Sequence, residues 1–190
     1  MPPKCKFTKA EIIQAALNMV RAEGIDAITA RALAARLGTS TRPIFTFYEN
    51  MEDLRQDTIM AAKELYTQYA MEGLHSEPPF MGVGVQYLKF AREEPKLFRL
   101  LFMSEMPEKF DPFTALRTYD DRFGDVVHII QDGFQVDSDS AARLYRHLWI
   151  YTHGIATLLV TKVCSFTDEE IGQMLTEVFV SLLKQGEMSL

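Results

Sequence analysis

Between Gly38 and Asn50 the chain reads GTSTRPIFTFYEN, which places Ser40, Thr41 and Arg42 beside Pro43, Phe45, Phe47 and Tyr48. Hydroxyl and guanidinium groups in the exposed first turn of a short helix can donate to phosphate oxygens or to guanine edges in a duplex groove. A second set lies far along the chain, where Trp149 and His153 stand four residues apart and share a face if the segment is helical. Upstream of it, Tyr87, Phe90, Phe98, Phe102, Met103, Phe113, Tyr119 and Phe123 either pack as plain core or line an adaptable apolar cavity. His147, Tyr151 and His153 would be that cavity's polar handles, although a helical histidine serves equally well as a satisfied structural group.

Other chemistry is poorly supported. His147 and His153 are six apart and point differently, His75 and His128 are remote, and Cys5 and Cys164 form no ligand-spaced pair. No glycine-rich phosphate loop and no serine elbow occurs. No metal, cofactor or catalytic residue is therefore expected, and Asp120, Asp121 and Asp125 read as solvated charge opposite an apolar stripe.

The net charge of −6 hides an asymmetry along the chain. Residues 1–50 carry seven Lys/Arg against four acids, a balance of +3, whereas the remaining 140 carry 13 against 22, a balance of −9. Only the first part is suited to touch nucleic acid. No apolar run reaches the roughly 18 residues of a membrane span, and the first residues lack the apolar stretch of a signal peptide. Two cysteines make no disulfide framework, so the expectation is a soluble, cytoplasmic protein.

Apolar residues recur at spacings of three and four almost throughout, which predicts an all-α fold of about nine helices. Thr8 caps a first helix to Glu23, stopped by Gly24; Thr29 caps a second to Leu37, ended by Gly38 in a left-handed conformation. Thr39 or Ser40 caps a third, very short helix to Phe47, its inner face Ile44 and Tyr48. Asn50 caps a fourth over 51–72, before Gly73, Pro78 and Pro79 break the chain. Five more follow over 80–94, 95–103, 112–132, 138–164 and 168–184, the last opened by the capping box Thr167-Asp-Glu-Glu170. Two helices joined at Gly38 make a helix-turn-helix, and the domains divide as 1–54 and 55–190, with the fourth helix connecting them.

Several of these segments, in this order, carry a family resemblance: IIQAAL, EGIDAITARALAARLGTS, IFTFY and Asp53-Leu54. The first 60 residues resemble the DNA-binding domain of the tetracycline-repressor (TetR) family of bacterial regulators. The resemblance implies a three-helix DNA-binding head and a homodimer on a near-palindromic operator. It also implies a variable C-terminal domain that binds a ligand and sets the separation of two reading heads. By the same resemblance Thr29 offers its hydroxyl or N–H to a phosphate, with Arg31 beside it. Phe45, Phe47 and Met51 depart from the family's usual tyrosine, histidine and lysine, two of which commonly touch phosphates. Arg42-Pro43 restores a cation where a glycine-containing pair is usual, and Phe45 and Phe47 are expected against sugar or thymine methyl groups. Phe47 and Tyr48 can instead pin the third helix onto the first, the role favoured for Tyr48. Arg36 reads equally as a solvated charge, and Lys4, Lys6 and Lys9 read as a salt-sensitive basic arm or a solubilising tail.

The segment LWIYTHGIATLLVTK also resembles the W-x-x-x-H-G pattern of one C-terminal class of these regulators, in which Gly154 lets another backbone approach closely. The two last helices carry more apolar surface than one side of a bundle uses. Ile155, Ala156, Leu159, Val160 and Val163 in one, and Ile171, Met174, Leu175, Val178, Phe179, Leu182 and Leu183 in the other, suit pairing with symmetry mates in a four-helix dimer interface. The resulting expectation is a ligand-responsive repressor bound to a double-stranded operator. A small apolar or aromatic effector would shift the sixth or seventh helix against the fourth. The alternative is a helical small-molecule-binding protein or enzyme that has lost DNA binding.

Overall fold

The computed structural model describes residues 7–76, 79–105, 111, 116–117 and 122–187. Lys4, Cys5, Lys6, Phe113, Tyr119, Asp120 and Asp121 lie outside the described residues. Among the described residues there are nine α-helices, one short 3-10 turn (Ile25–Ala27) and no strand. The helices are α1 (Lys9–Glu23), α2 (Ala30–Arg36), α3 (Ile44–Phe47), α4 (Met51–Leu74), α5 (Pro79–Glu93), α6 (Pro95–Phe102), α7 (Phe123–Phe134), α8 (Ser138–Val160) and α9 (Asp168–Glu187). Contact density divides the chain into two compact units, Met1–Gln68 with Glu93–Ser104, and Tyr69–Arg92 with Glu105–Leu190. The first unit thus takes in a distant segment, where the sequence reading placed one cut between residues 54 and 55.

Side-chain caps define the first unit. The Thr8 and Glu11 side chains each accept the other's backbone N–H, closing a capping box on α1, and Gly24 ends that helix at φ 98°. Thr29 Oγ1 accepts the Ala32 N–H at 3.2 Å to open α2. Beyond α2, Gly38 sits at φ 63°, with its N–H bonded to the Ala35 carbonyl and the Thr39 N–H to the Ala34 carbonyl. That pair of bonds is a Schellman ending, in which glycine avoids the Cβ clash of the left-handed conformation. Asn50 Oδ1 accepts from Glu52 and Asp53 to open α4.

Ile12, Ala16, Leu33, Ile44, Leu54 and Phe98 are buried in this unit. The segment carrying α6 is clipped onto α1 by Arg21, which donates from Nε to Glu94 Oε2 at 2.9 Å and from Nη2 to Oε1 at 2.6 Å. Lys96 adds a bond to the Ala22 carbonyl.

The third helix corrects the expectation. It begins at Ile44 with Pro43 at its N-cap and no side-chain cap, so Ser40, Thr41 and Arg42 lie in the turn ahead of it and not in its first turn. The physical reason is proline's fixed φ, which suits a helix start, while the Thr39 N–H is taken up in leaving α2. The Thr41 carbonyl accepts the N–H groups of Ile44 and Phe45.

In the second unit, Gly73 does not break α4 but lies within its last turn, against Gly82 of α5. A Cβ on Gly73 would sit 2.7 Å from the Gly82 carbonyl carbon and oxygen, so the two backbones cross where neither carries a side chain. Further rungs join the same segments. Gln86 and Lys89 reach Glu72 at 3.2 and 4.0 Å, and the Tyr69 and Phe90 rings meet edge to face with centroids 5.3 Å apart. Val126, Val127, Ile130, Ala141, Leu144, Tyr145 and Leu148 form a core between α7 and α8, with Val178, Leu182 and Leu183 of α9 packed against it. Of the helix expected over 112–132, α7 and the helical pair Leu116 and Arg117 fall among the described residues.

α8 stops at Val160, four residues short of the expected Cys164. Lys162 adopts φ 59°, its N–H bonds the Leu159 carbonyl, and the Val163 N–H bonds the Leu158 carbonyl, a Schellman ending built on a residue with a Cβ. A left-handed non-glycine residue costs about 1 kcal/mol. Lys162→Gly is therefore expected to raise stability by about that amount, a rise of roughly 2–4 °C in a thermal melt. Thr167 and Glu170 form the expected capping box on α9.

Candidate functional site

α2, the Gly38 turn and α3 make a helix-turn-helix whose outer surface is set by what α3 buries. Ile44 and Tyr48 are 0% and 4% exposed, which turns Phe45 and Phe47 outward at 47% and 37%. Ser40, Thr41 and Arg42 are exposed beside them, Pro43 and Met51 are half-buried, and Thr29 and Arg31 are exposed at the start of α2. The surface so formed offers hydroxyls, guanidinium groups and two phenyl rings. Thr46 Oγ1 donates to the Arg42 carbonyl at 3.1 Å, fixing the turn by its backbone, and the guanidinium makes no ion pair among the described residues.

Tyr48 belongs beneath this surface and not on it. Its hydroxyl donates to Asp57 Oδ2 on α4 at 3.2 Å, and its ring lies 5.1 Å from the Lys9 ammonium on α1. Lys9 in turn pairs with Asp57 at 2.6 Å, so one carboxylate ties α1, α3 and α4 together. The hydrogen bond from Lys9 holds the Asp57 carboxyl below the usual range, and burial beside that charge pushes the Tyr48 phenol far above its own. Lys9 is accordingly part of α1 and not of a loose arm, because Asp57 gives its charge a partner. Arg36 stands 4.0 Å from Glu23 on the surface.

In the second unit Tyr87 of α5 and Trp149 and His153 of α8 come together. Tyr87 Oη and His153 Nδ1 are 2.8 Å apart, and the indole and imidazole stack at 5.1 Å with planes 12° apart. Burial depresses the His153 pKa, favouring a neutral ring that accepts the Tyr87 proton at Nδ1. Sequence reasoning missed Thr152, buried next to His153, and Gly84, where a Cβ would lie 4.0 Å from the Thr152 hydroxyl. A period-3.6 pattern assigns position 152 to the core, but nothing in it marks a hydroxyl there as useful.

The rest of the aromatic set does not gather around this cluster. Phe98 and Phe102 belong to the first unit, where Phe102 meets Tyr66 edge to face at 4.9 Å. Composition counts aromatics without saying which unit a helix joins, and α6 joins the head through Arg21 and Glu94. Met103 and His147 are exposed, Tyr151 is half-buried, Phe90 packs on Tyr69, and Phe123 lies 5.8 Å from the Tyr145 ring. Gly154 is exposed, and among the described residues nothing lies within 4 Å of a Cβ built there, so none of their backbones approaches it.

The His153 environment has a pH signature. A base whose folded pKa is depressed binds fewer protons folded than unfolded, so stability falls as pH drops below the ordinary imidazole value of about 6.5. The loss levels off once pH is below the folded pKa. His153→Gln is expected to flatten that segment of the stability-against-pH curve, read from urea melts at pH 5 to 8.

A short helix presented outward from a helix-turn-helix, on a head richer in base than the rest of the chain, defines the class of DNA-binding transcription regulators. The comparisons agree: residues 12–58 match the model of the bacterial regulatory proteins of the tetR family, and residues 80–182 match that of the tetracyclin repressor-like C-terminal domain. The chain belongs to the tetR family. It is a ligand-responsive transcriptional regulator and not an enzyme. No curated protein matches it. Among the described residues no helix is long and apolar enough to cross a membrane.

Proposed function

We propose that the protein is a cytoplasmic repressor that binds a near-palindromic operator as a homodimer and leaves it when a small apolar or aromatic effector occupies the C-terminal domain. Residues 1–54 are the DNA-binding domain and 55–190 the effector and dimerisation domain. The observation that carries the reading is the outward presentation of Ser40, Thr41, Arg42, Phe45 and Phe47 above a buried Ile44 and Tyr48. Ser40, Thr41 and Arg42 donate to phosphates or base edges, and Phe45 and Phe47 press on sugar or thymine methyl groups. Thr29 and Arg31 hold a phosphate at the start of α2, with Pro43, Met51 and Lys6 completing the contact surface.

Tyr87, Trp149 and His153 orient the effector by a phenol, an indole face and an imidazole, and Tyr151 of the same helix contributes to its surroundings. Ile150 and Val163 of the α8 region and Val180 of α9 are exposed at 56%, 68% and 39%, which supports pairing of the last two helices with their symmetry mates. α4 carries the response, since one unbroken helix runs from Met51 beside the head to Leu74 beside α5. Two heads about 34 Å apart read successive major grooves, so a small change in their separation loses contacts in both half-sites. Fluorescence anisotropy on the duplex upstream of its own gene tests the proposal. Sequence-selective, salt-dependent binding by a species of twice the chain mass supports it; binding no tighter than to a scrambled duplex refutes it.

A further inference from the structure

A cleft of about 430 Å³ in the second unit has an apolar floor of Leu116, Phe123 and Ala142 and carries Arg117, Arg143 and Arg146 at its rim. It shares no residue with the Tyr87, Trp149 and His153 cluster. Three arginines line this one cleft in a chain whose net charge is −6. Arg143 and Arg146 stand one helical turn apart on α8, and the Arg117 guanidinium lies 5.1 Å from the centroid of the Phe123 ring. Arg143 is exposed and makes no ion pair among the described residues. An adjoining depression of about 460 Å³ is lined by the same Arg117, Phe123 and Ala142, which extends the floor along α7.

We infer that this cleft is a second small-molecule site, and that it takes an aromatic monocarboxylate. The exposed Arg143 guanidinium presents a planar fork that matches a carboxylate by two parallel bonds, and Arg117 and Arg146 add positive charge beside it. Phe123, Leu116 and Ala142 add apolar surface, which an inorganic anion would leave wet and an aromatic body covers. Asp139 also lines the cleft, and its carboxylate repels a second negative charge, so a monoanion is preferred to a dianion. Ser140 is engaged elsewhere, donating to Asp137 at 2.7 Å. The volume lies within the range of small-molecule sites, at its lower end.

The test is a fluorine NMR titration of the full chain with 4-trifluoromethylbenzoate and with its neutral isostere 4-trifluoromethylbenzamide. The acid is expected to bind at least tenfold more tightly than the amide. Arg143→Gln should raise the Kd of the acid at least tenfold at unchanged melting temperature, and Arg117→Gln provides a second variant on a different segment. Tyr87→Phe should leave the Kd unchanged, which keeps the outcome separate from the effector reading above. Equal affinity for acid and amide, indifference to both arginine variants, or loss on Tyr87→Phe would each overturn the assignment. So would displacement of the acid by inorganic phosphate at equal concentration, which would make the cleft a plain anion site.

Discussion

Arg42→Ala is expected to weaken operator binding at least thirtyfold while leaving the melting temperature unchanged. The guanidinium is exposed, and the turn is held by the Arg42 carbonyl, which alanine retains. A guanidinium contact with a base edge contributes about 1–3 kcal/mol. Two heads engage in a twofold complex, so the loss is about 2–6 kcal/mol, and its lower bound corresponds to a roughly thirtyfold change in Kd. Anisotropy on the upstream duplex reads the loss, with a thermal melt as control. If Arg42→Ala leaves DNA affinity where it was, the Gly38 turn is not the reading surface.

Gly82→Ala is expected to destabilise the protein by about 3 kcal/mol, lowering the melting temperature by roughly 6–12 °C. The added Cβ would come within 1.7 Å of Ser76 Oγ and 2.4 Å of the Gly73 carbonyl oxygen. Ser76 can swing aside, at the loss of its bond to the Gly73 carbonyl, but the carbonyl belongs to α4 itself. Gly73→Ala meets only backbone, the nearest atoms at 2.7 Å, so it should be at least as damaging. Gly133→Ala is the control: nothing lies within 4 Å of its Cβ, and alanine in a helix is favoured over glycine by up to about 1 kcal/mol. A Gly82→Ala protein that melts with the parent would mean that the α4 and α5 crossing is looser than described.

Local chemistry made much of this legible in the sequence. Thr8, Thr29, Gly38, Asn50 and Thr167 with Glu170 each act within a few residues, and their hydrogen bonds stand where their types and spacing placed them. Competition between local signals misled the reading of α3, where Thr39 and Ser40 offered caps but Pro43 set the start. Left-handed Lys162 was not foreseen because glycine is the usual signal for that ending, and here the chain bears the strain without it. Contacts between distant residues were beyond reach: Arg21 and Glu94 are 73 positions apart, and no propensity links them. The same holds for Gly73, which reads as a break by itself and becomes half of a crossing only when α5 brings Gly82 against it. Tyr87 and His153 stand 66 apart, so the motif on α8 named one side of that cluster and left the other to be found among many aromatics.

The ion pairs of the head also set how its grip on a duplex responds to ionic strength. Asp57 neutralises Lys9, Glu94 neutralises Arg21, and Glu23 faces Arg36, which leaves Arg31 and Arg42 as the cations of residues 7–54 outside any such pair among the described residues. Only cations that neutralise phosphates release condensed counterions, at about 0.9 per contact on a logarithmic plot of affinity against salt. A twofold complex using Arg31 and Arg42 alone would then show a slope of about −4, and one that also engages Lys4 and Lys6 a slope of about −7. For the contacts proposed above, the acidic partners inside the head make its hold shallow in salt, and more of the proposed discrimination falls to the phenyl rings of Phe45 and Phe47.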